Sequence, residues 1–89
     1  MSPERYATLE AMSRAGNTLS PGELARMLGI KEEAAFMRMR RLERMYLATQ
    51  ITRGTRINNQ YTLTNQGLNV LDWCRRVWLP ERQMQGVAT

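Results

Sequence analysis

Along the first fifteen residues apolar positions recur at helical spacing, with Tyr6, Leu9 and Met12 in one stripe and Ala7, Ala11 and Ala15 beside it. Ser2-Pro3-Glu4 supplies an N-cap, a proline at the first helical position and an acid in the first turn, and Gly16-Asn17 supplies the stop. The pattern predicts a helix from about Pro3 to Ala15. Thr18-Leu19 reads as a short extended piece. Ser20-Pro21-Gly22-Glu23 is a capping-box sequence opening a short helix whose apolar side is Leu24, Ala25, Leu28 and Ile30, with Gly29 as its end. A third helix, about residues 31 to 45, buries Ala35, Met39, Leu42 and Met45 at spacings of three and four. Phe36 and Met37 fall outside that stripe, which leaves them to a partner surface or to a stripe displaced by one residue.

Past Tyr46 the period changes to two. Leu47, Thr49 and Ile51 alternate with polar or small residues, as do Tyr61 and Leu63. The tip between them, Arg53 to Asn59, carries a glycine and two asparagines, so the two runs are expected to pair as a β-hairpin. A last helix is expected from about Asn65 to Leu79, capped by Thr64 or Asn65 and closed by Pro80, with residues 80–89 as a flexible tail. The expected fold class is mainly α with a small β-hairpin, in the order α-β-α-α-β-β-α.

Composition narrows what such a domain does. The chain has 89 residues, enough for one domain with a thin core that a second copy would support. It has no histidine and one cysteine, Cys74, so the commonest general base and a Cys/His metal cluster are missing. Asp72 is the only aspartate, and the glutamates form no paired-carboxylate spacing beyond adjacent Glu32 and Glu33. No enzyme, metal or cofactor is expected. No run is long and apolar enough for a membrane span and no signal peptide is seen, so a cytoplasmic protein without membrane partners is expected.

Charge distribution points further. The formal net charge is +5, and all of it lies between residues 38 and 56, where six arginines face Glu43 alone. A patch of that kind is the footprint of a polyanion partner, and the arginine fork suits phosphates and guanine edges. A solvated arginine-rich helix face is the plainer alternative.

The order of elements resembles the winged helix-turn-helix fold of small bacterial, archaeal and phage transcription regulators, over about residues 3 to 79. The resemblance is carried by Leu19-Ser20-Pro21-Gly22-Glu23-Leu24-Ala25 running to Leu28-Gly29-Ile30, and by Arg41-Leu42-Glu43-Arg44 with Leu47 leading into the hairpin. Tyr61-Thr62-Leu63-Thr64-Asn65-Gln66-Gly67 is similar to the strand-into-helix step of regulators of the multiple-antibiotic-resistance type. The resemblance implies that residues 31 to 45 are a recognition helix for the DNA major groove. It also implies that Arg53 to Asn58 form a wing tip near the minor groove or backbone. Lys31-Glu32-Glu33 departs from the small polar start usual for such helices, as does Tyr46 from the small residue usual after them.

The residues expected at double-stranded DNA are Lys31, Arg38, Arg40, Arg41, Arg44, Arg53 and Arg56. Arg38 and Arg41 are expected at base edges or phosphates, and Arg53 and Arg56 project from the tip around Gly54. The last helix carries two apolar edges, one of Leu68, Leu71, Cys74 and Trp78 and one of Val70, Trp73 and Val77. One edge is left for a second copy, with Tyr6, Leu9 and Met12 of helix one as companions. Cys74 reads as a small buried hydrophobe rather than a redox switch. The leading reading is a homodimeric DNA-binding transcription regulator. The alternative is a winged-helix protein-interaction module, a phage or mobile-element protein that binds a host enzyme or polymerase through Glu32, Glu33, Phe36 and Met37.

Overall fold

The computed structural model describes residues 1–52 and 54–87. The elements are α1 (Pro3–Arg14), β1 (Thr18–Leu19), α2 (Pro21–Leu28), α3 (Glu32–Arg44), β2 (Ala48–Gln50), β3 (Tyr61–Leu63), α4 (Asn65–Trp73), a π-helical turn (Cys74–Trp78) and α5 (Leu79–Val87). Local chemistry sets most of these boundaries. The Ser2 hydroxyl accepts from the Arg5 amide and caps α1. At α2 both halves of the capping box form: the Glu23 amide donates to Ser20 Oγ at 3.2 Å and the Ser20 amide donates to Glu23 Oε1 at 3.1 Å. Those bonds hold the Glu23 carboxyl below its usual range. Gly29 ends α2 with φ of 65°, a left-handed conformation that any Cβ would penalise.

The three strands form one antiparallel sheet in the order β1-β3-β2, with Thr18 opposite Thr62 and Thr49 opposite the same residue from the other side. Helices α1, α2 and α3 pack with this sheet around Leu9, Met12, Leu24, Met39, Leu42 and Tyr61. Burial of Tyr61 pushes its phenol up. From α4 the buried Leu71 joins the same core.

Four expectations are corrected. The last helix does not close at Pro80, and the segment read as a tail is helical through Val87. Proline blocks a helix by pressing on the carbonyl four residues back. Here the turn before it is wide, with the Leu79 amide donating to the Cys74 carbonyl five residues back, and the helix passes through. Met45, expected in the buried stripe, is 39% exposed, because α3 stops at Arg44 and Met45 is its C-cap. Leu9 and Met12, expected at a subunit interface, are fully buried within the chain's own core. Phe36, read as lying outside the stripe, is buried, for a reason that belongs to the site.

Candidate nucleic-acid interface

Helix α3 is set on α2 by the Gly29 turn, with Ala35, Met39 and Leu42 inward. That packing leaves Glu32, Glu33, Ala34, Met37, Arg41 and Arg44 facing outward, with Lys31 exposed at the helix start. Lys31, Arg41 and Arg44 make no ion pair among the described residues. They are cations on a convex helix surface, which is what a polyanion requires.

The other predicted arginines are placed differently. Arg38 turns sideways toward α1, its side chain 21% exposed and 3.9 Å from Glu4. Arg40 lies half-buried along the opposite flank of α3, 3.5 Å from Glu43. Arg56 does not project from the hairpin tip. It folds back onto α3, donating to Glu33 at 2.6 Å, with its guanidinium 4.4 Å from the centre of the Phe36 ring. Arg40 approaches the same ring at 5.8 Å. Phe36 is therefore the platform on which the hairpin loop rests, and this is why it is buried without belonging to the helix's core stripe. Arg53, also expected at the tip, lies outside the described residues.

The loop is tied down at a second point. The Gly22 amide donates to the Ile57 carbonyl at 3.0 Å, and a Cβ at Gly22 would stand 2.9 Å from the Ile57 side chain. Inside the loop the amides of Asn58 and Asn59 both donate to the Thr55 carbonyl. Gln60 completes the link: its amide donates to Thr52 Oγ1 at 2.9 Å and its side chain reaches Glu23 Oε1 at 3.4 Å. The hairpin loop is thus fastened to both α2 and α3. No spacing in the sequence signals the Glu33–Arg56 or Gly22–Ile57 contacts, which join residues far apart in the chain.

No model of a protein family matches the chain, nor does any curated protein. Solved structures do. Staphylococcus aureus MarR in complex with salicylate and kanamycin superposes with a TM-score of 0.81 at 14% identity, covering 100% of this chain and 59% of that one. A mutant E. coli MarR complexed with operator DNA gives a TM-score of 0.74 at 17% identity, covering 86% of this chain and 55% of that one. The fold is a MarR-type winged helix-turn-helix. MepR, a transcription regulator of the S. aureus multidrug efflux pump MepA, gives 0.77 at 17% identity, covering 100% of this chain and 66% of that one. The chain therefore spans less than two thirds of the length of each of these MarR-type proteins. In the MarR-type arrangement α2 and α3 are the helix-turn-helix and the β2–β3 hairpin is the wing. Among the described residues no helix is long and apolar enough to cross a membrane.

Proposed function

We propose that the chain is a DNA-binding transcription regulator that lays α3 in the major groove, sets its wing beside the adjoining backbone, and acts as a homodimer. The observation that carries this reading is the outward face of α3, where Arg41 and Arg44, with Lys31 at the helix start, stand exposed and without carboxylate partners on the second helix of a helix-turn-helix. The solution of one structural neighbour with operator DNA supports it. The dimer is supported by the last helix, on which Trp73 is 42%, Val77 37% and Met84 72% exposed. Of the interface residues expected from the sequence, Trp73 and Val77 remain available. Val70 packs partly on the core, and the Tyr6 ring meets that of Trp78 at a tilt of 42°, centroids 5.4 Å apart.

A duplex-binding titration at about 50 and about 200 mM salt tests the reading, since cations that displace counterions make affinity fall steeply with salt. Arg41→Ala or Arg44→Ala should flatten the salt dependence by about one unit if the arginine meets a phosphate, or cost about 1–3 kcal/mol on a preferred site if it reads a base. Absence of duplex binding at the lower salt overturns it. A protein-binding module is the second reading, favoured by Met37, 38% exposed at the centre of the outward face of α3 beside exposed Glu32 and Glu33. Buried Phe36 drops out of that reading's contact set.

A further inference from the structure

On the flank of α3 away from the wing, Arg38 and Arg41 face the first turns of α1 across a cleft of about 60 Å³. Ser2, Glu4, Arg5 and Thr8 line its other side, with the buried Leu42 as its apolar lining. That is several times the space one water needs, and enough for a small oxyanion. Three guanidinium groups meet one carboxylate there.

The polar groups of the cleft are poorly matched to each other. Arg38 is largely withdrawn from water, yet its carboxylate neighbour Glu4 stands at 3.9 Å, beyond hydrogen-bonding distance. Arg5 and Arg41 make no ion pair among the described residues. The Arg38 guanidinium still touches water and has donors free for a second acceptor in the cleft. The hydroxyls are sorted in the same sense. Thr8 spends its proton on the Glu4 carbonyl at 2.9 Å, whereas Ser2 Oγ accepts from the Arg5 amide at 3.1 Å and keeps its own proton to donate. The positive end of α1 adds to the field.

We propose that this cleft is a site for one phosphate-type oxyanion, held by Arg5, Arg38 and Arg41 with the Ser2 hydroxyl as a further donor. Donors converging from α1 and α3 suit a tetrahedral group, which offers oxygens in several directions, better than a planar carboxylate, which one arginine fork satisfies. The oxyanion is a DNA backbone phosphate or a free phosphate. The first source rests on the regulator reading, the second does not. Arg5 lies outside the basic segment, and only the fold brings it to α3.

Two arms of one experiment decide the matter on the full chain. Inorganic phosphate is titrated into isotope-labelled protein at constant ionic strength, held with chloride, and amide resonances are followed. Saturable shifts are expected at Ser2 to Thr8 and around Arg38 and Arg41, weakened about tenfold in Arg5→Gln and in Arg41→Gln, and strengthened in Glu4→Gln. In the second arm, duplex DNA affinity is measured against salt for Arg5→Gln, with Arg26→Gln on the exposed side of α2 as control. A slope reduced by about one unit in the first variant and not in the second assigns the site to a backbone phosphate. Saturable phosphate shifts with an unchanged slope assign it to free phosphate. Shifts that the Arg5 and Arg41 variants leave intact overturn the proposal, as does the absence of both shifts and slope change. If duplex DNA does not bind at all, the regulator reading falls, and the phosphate arm alone decides the cleft.

Discussion

Gly67 lies in the first turn of α4, with its backbone against the Leu47 carbonyl so closely that a Cβ would collide with that oxygen. The same carbonyl accepts from the Thr64 amide at 3.0 Å, and the Thr64 hydroxyl accepts from the Gly67 amide at 3.0 Å. The helix cap and the hairpin are therefore joined at one point, and the obstructing neighbour is backbone that cannot swing aside. Gly67→Ala should destabilise the domain by about 1–3 kcal/mol, seen as a lower urea midpoint at unchanged slope. Tyr46 occupies the left-handed region with φ of 61° although its side chain is 74% exposed. The Thr64 hydroxyl, donating to its carbonyl at 2.6 Å, holds it there. Cys74 is fully buried and burial pushes its thiol up, so it packs rather than reacts.

Between elements, two ionic contacts have different consequences. Arg56 and Glu33 are both about three-fifths exposed, so their pair fastens the wing to α3 with at most about 1 kcal/mol. Glu33→Gln frees Arg56 and removes a like charge from the face offered to phosphates. Duplex affinity should rise, by up to about fivefold, with a Tm nearly unchanged; a fall in affinity would show that Glu33 positions the wing productively. Glu10 joins α1 to the last helix, accepting from Arg75 at 2.9 Å and from Arg14 at 3.0 Å. Its carboxyl is held below the usual range, chiefly by the Arg75 hydrogen bond, which outweighs the opposing effect of burial, with the Arg14 hydrogen bond lowering it further. A depressed folded-state value means that the contact stabilises fully above the unfolded carboxylate value of about 4.3 and is lost as pH falls through the lower folded value. Wild type should therefore melt above Glu10→Gln at neutral pH, and the gap should close as the pH falls below about 4.

The molecule as a whole measures 47 × 26 × 21 Å, elongated because the helix from Asn65 to Val87 is about 34 Å long at 1.5 Å per residue. Near its middle this helix is docked on α1 by the Tyr6–Trp78 contact and the Arg75–Glu10 pair. Its outer edge of Trp73, Val77 and Met84 is left to solvent within one chain. A second copy packing along that edge would cover it and, on the proposed function, bring a second α3 to the duplex. Trp73→Arg puts a charge into that seam and should give a folded monomer by light scattering. A monomeric wild type at tens of micromolar removes the dimer from the proposed function.

The helix starts and stops were legible in the residues because capping and left-handed turns are local chemistry, as Ser2, Ser20 with Glu23, Gly29 and Thr64 show. The hairpin was legible for the same reason, since alternation and a glycine-asparagine tip act over a few residues. What lay beyond reach was which neighbour covers each face. Period alone placed Phe36 outside the core stripe of α3, yet Arg56, 20 positions further along, lies over its ring. Leu9 belonged to an apolar stripe either way, and only the packing of α1 on its own sheet and helices decided that it faces inward. Arg38 and Arg41, three apart, looked equivalent, but beside α1 the first is half-buried near Glu4 while the second stays exposed at the rim of the cleft they share. Pro80 forbids a regular helix locally, and a wide turn anchored by packed Cys74 and Trp78 let the chain continue. Spacing specifies the faces of an element, while the contacts that pair those faces join residues distant in the chain and exist only once the chain has folded.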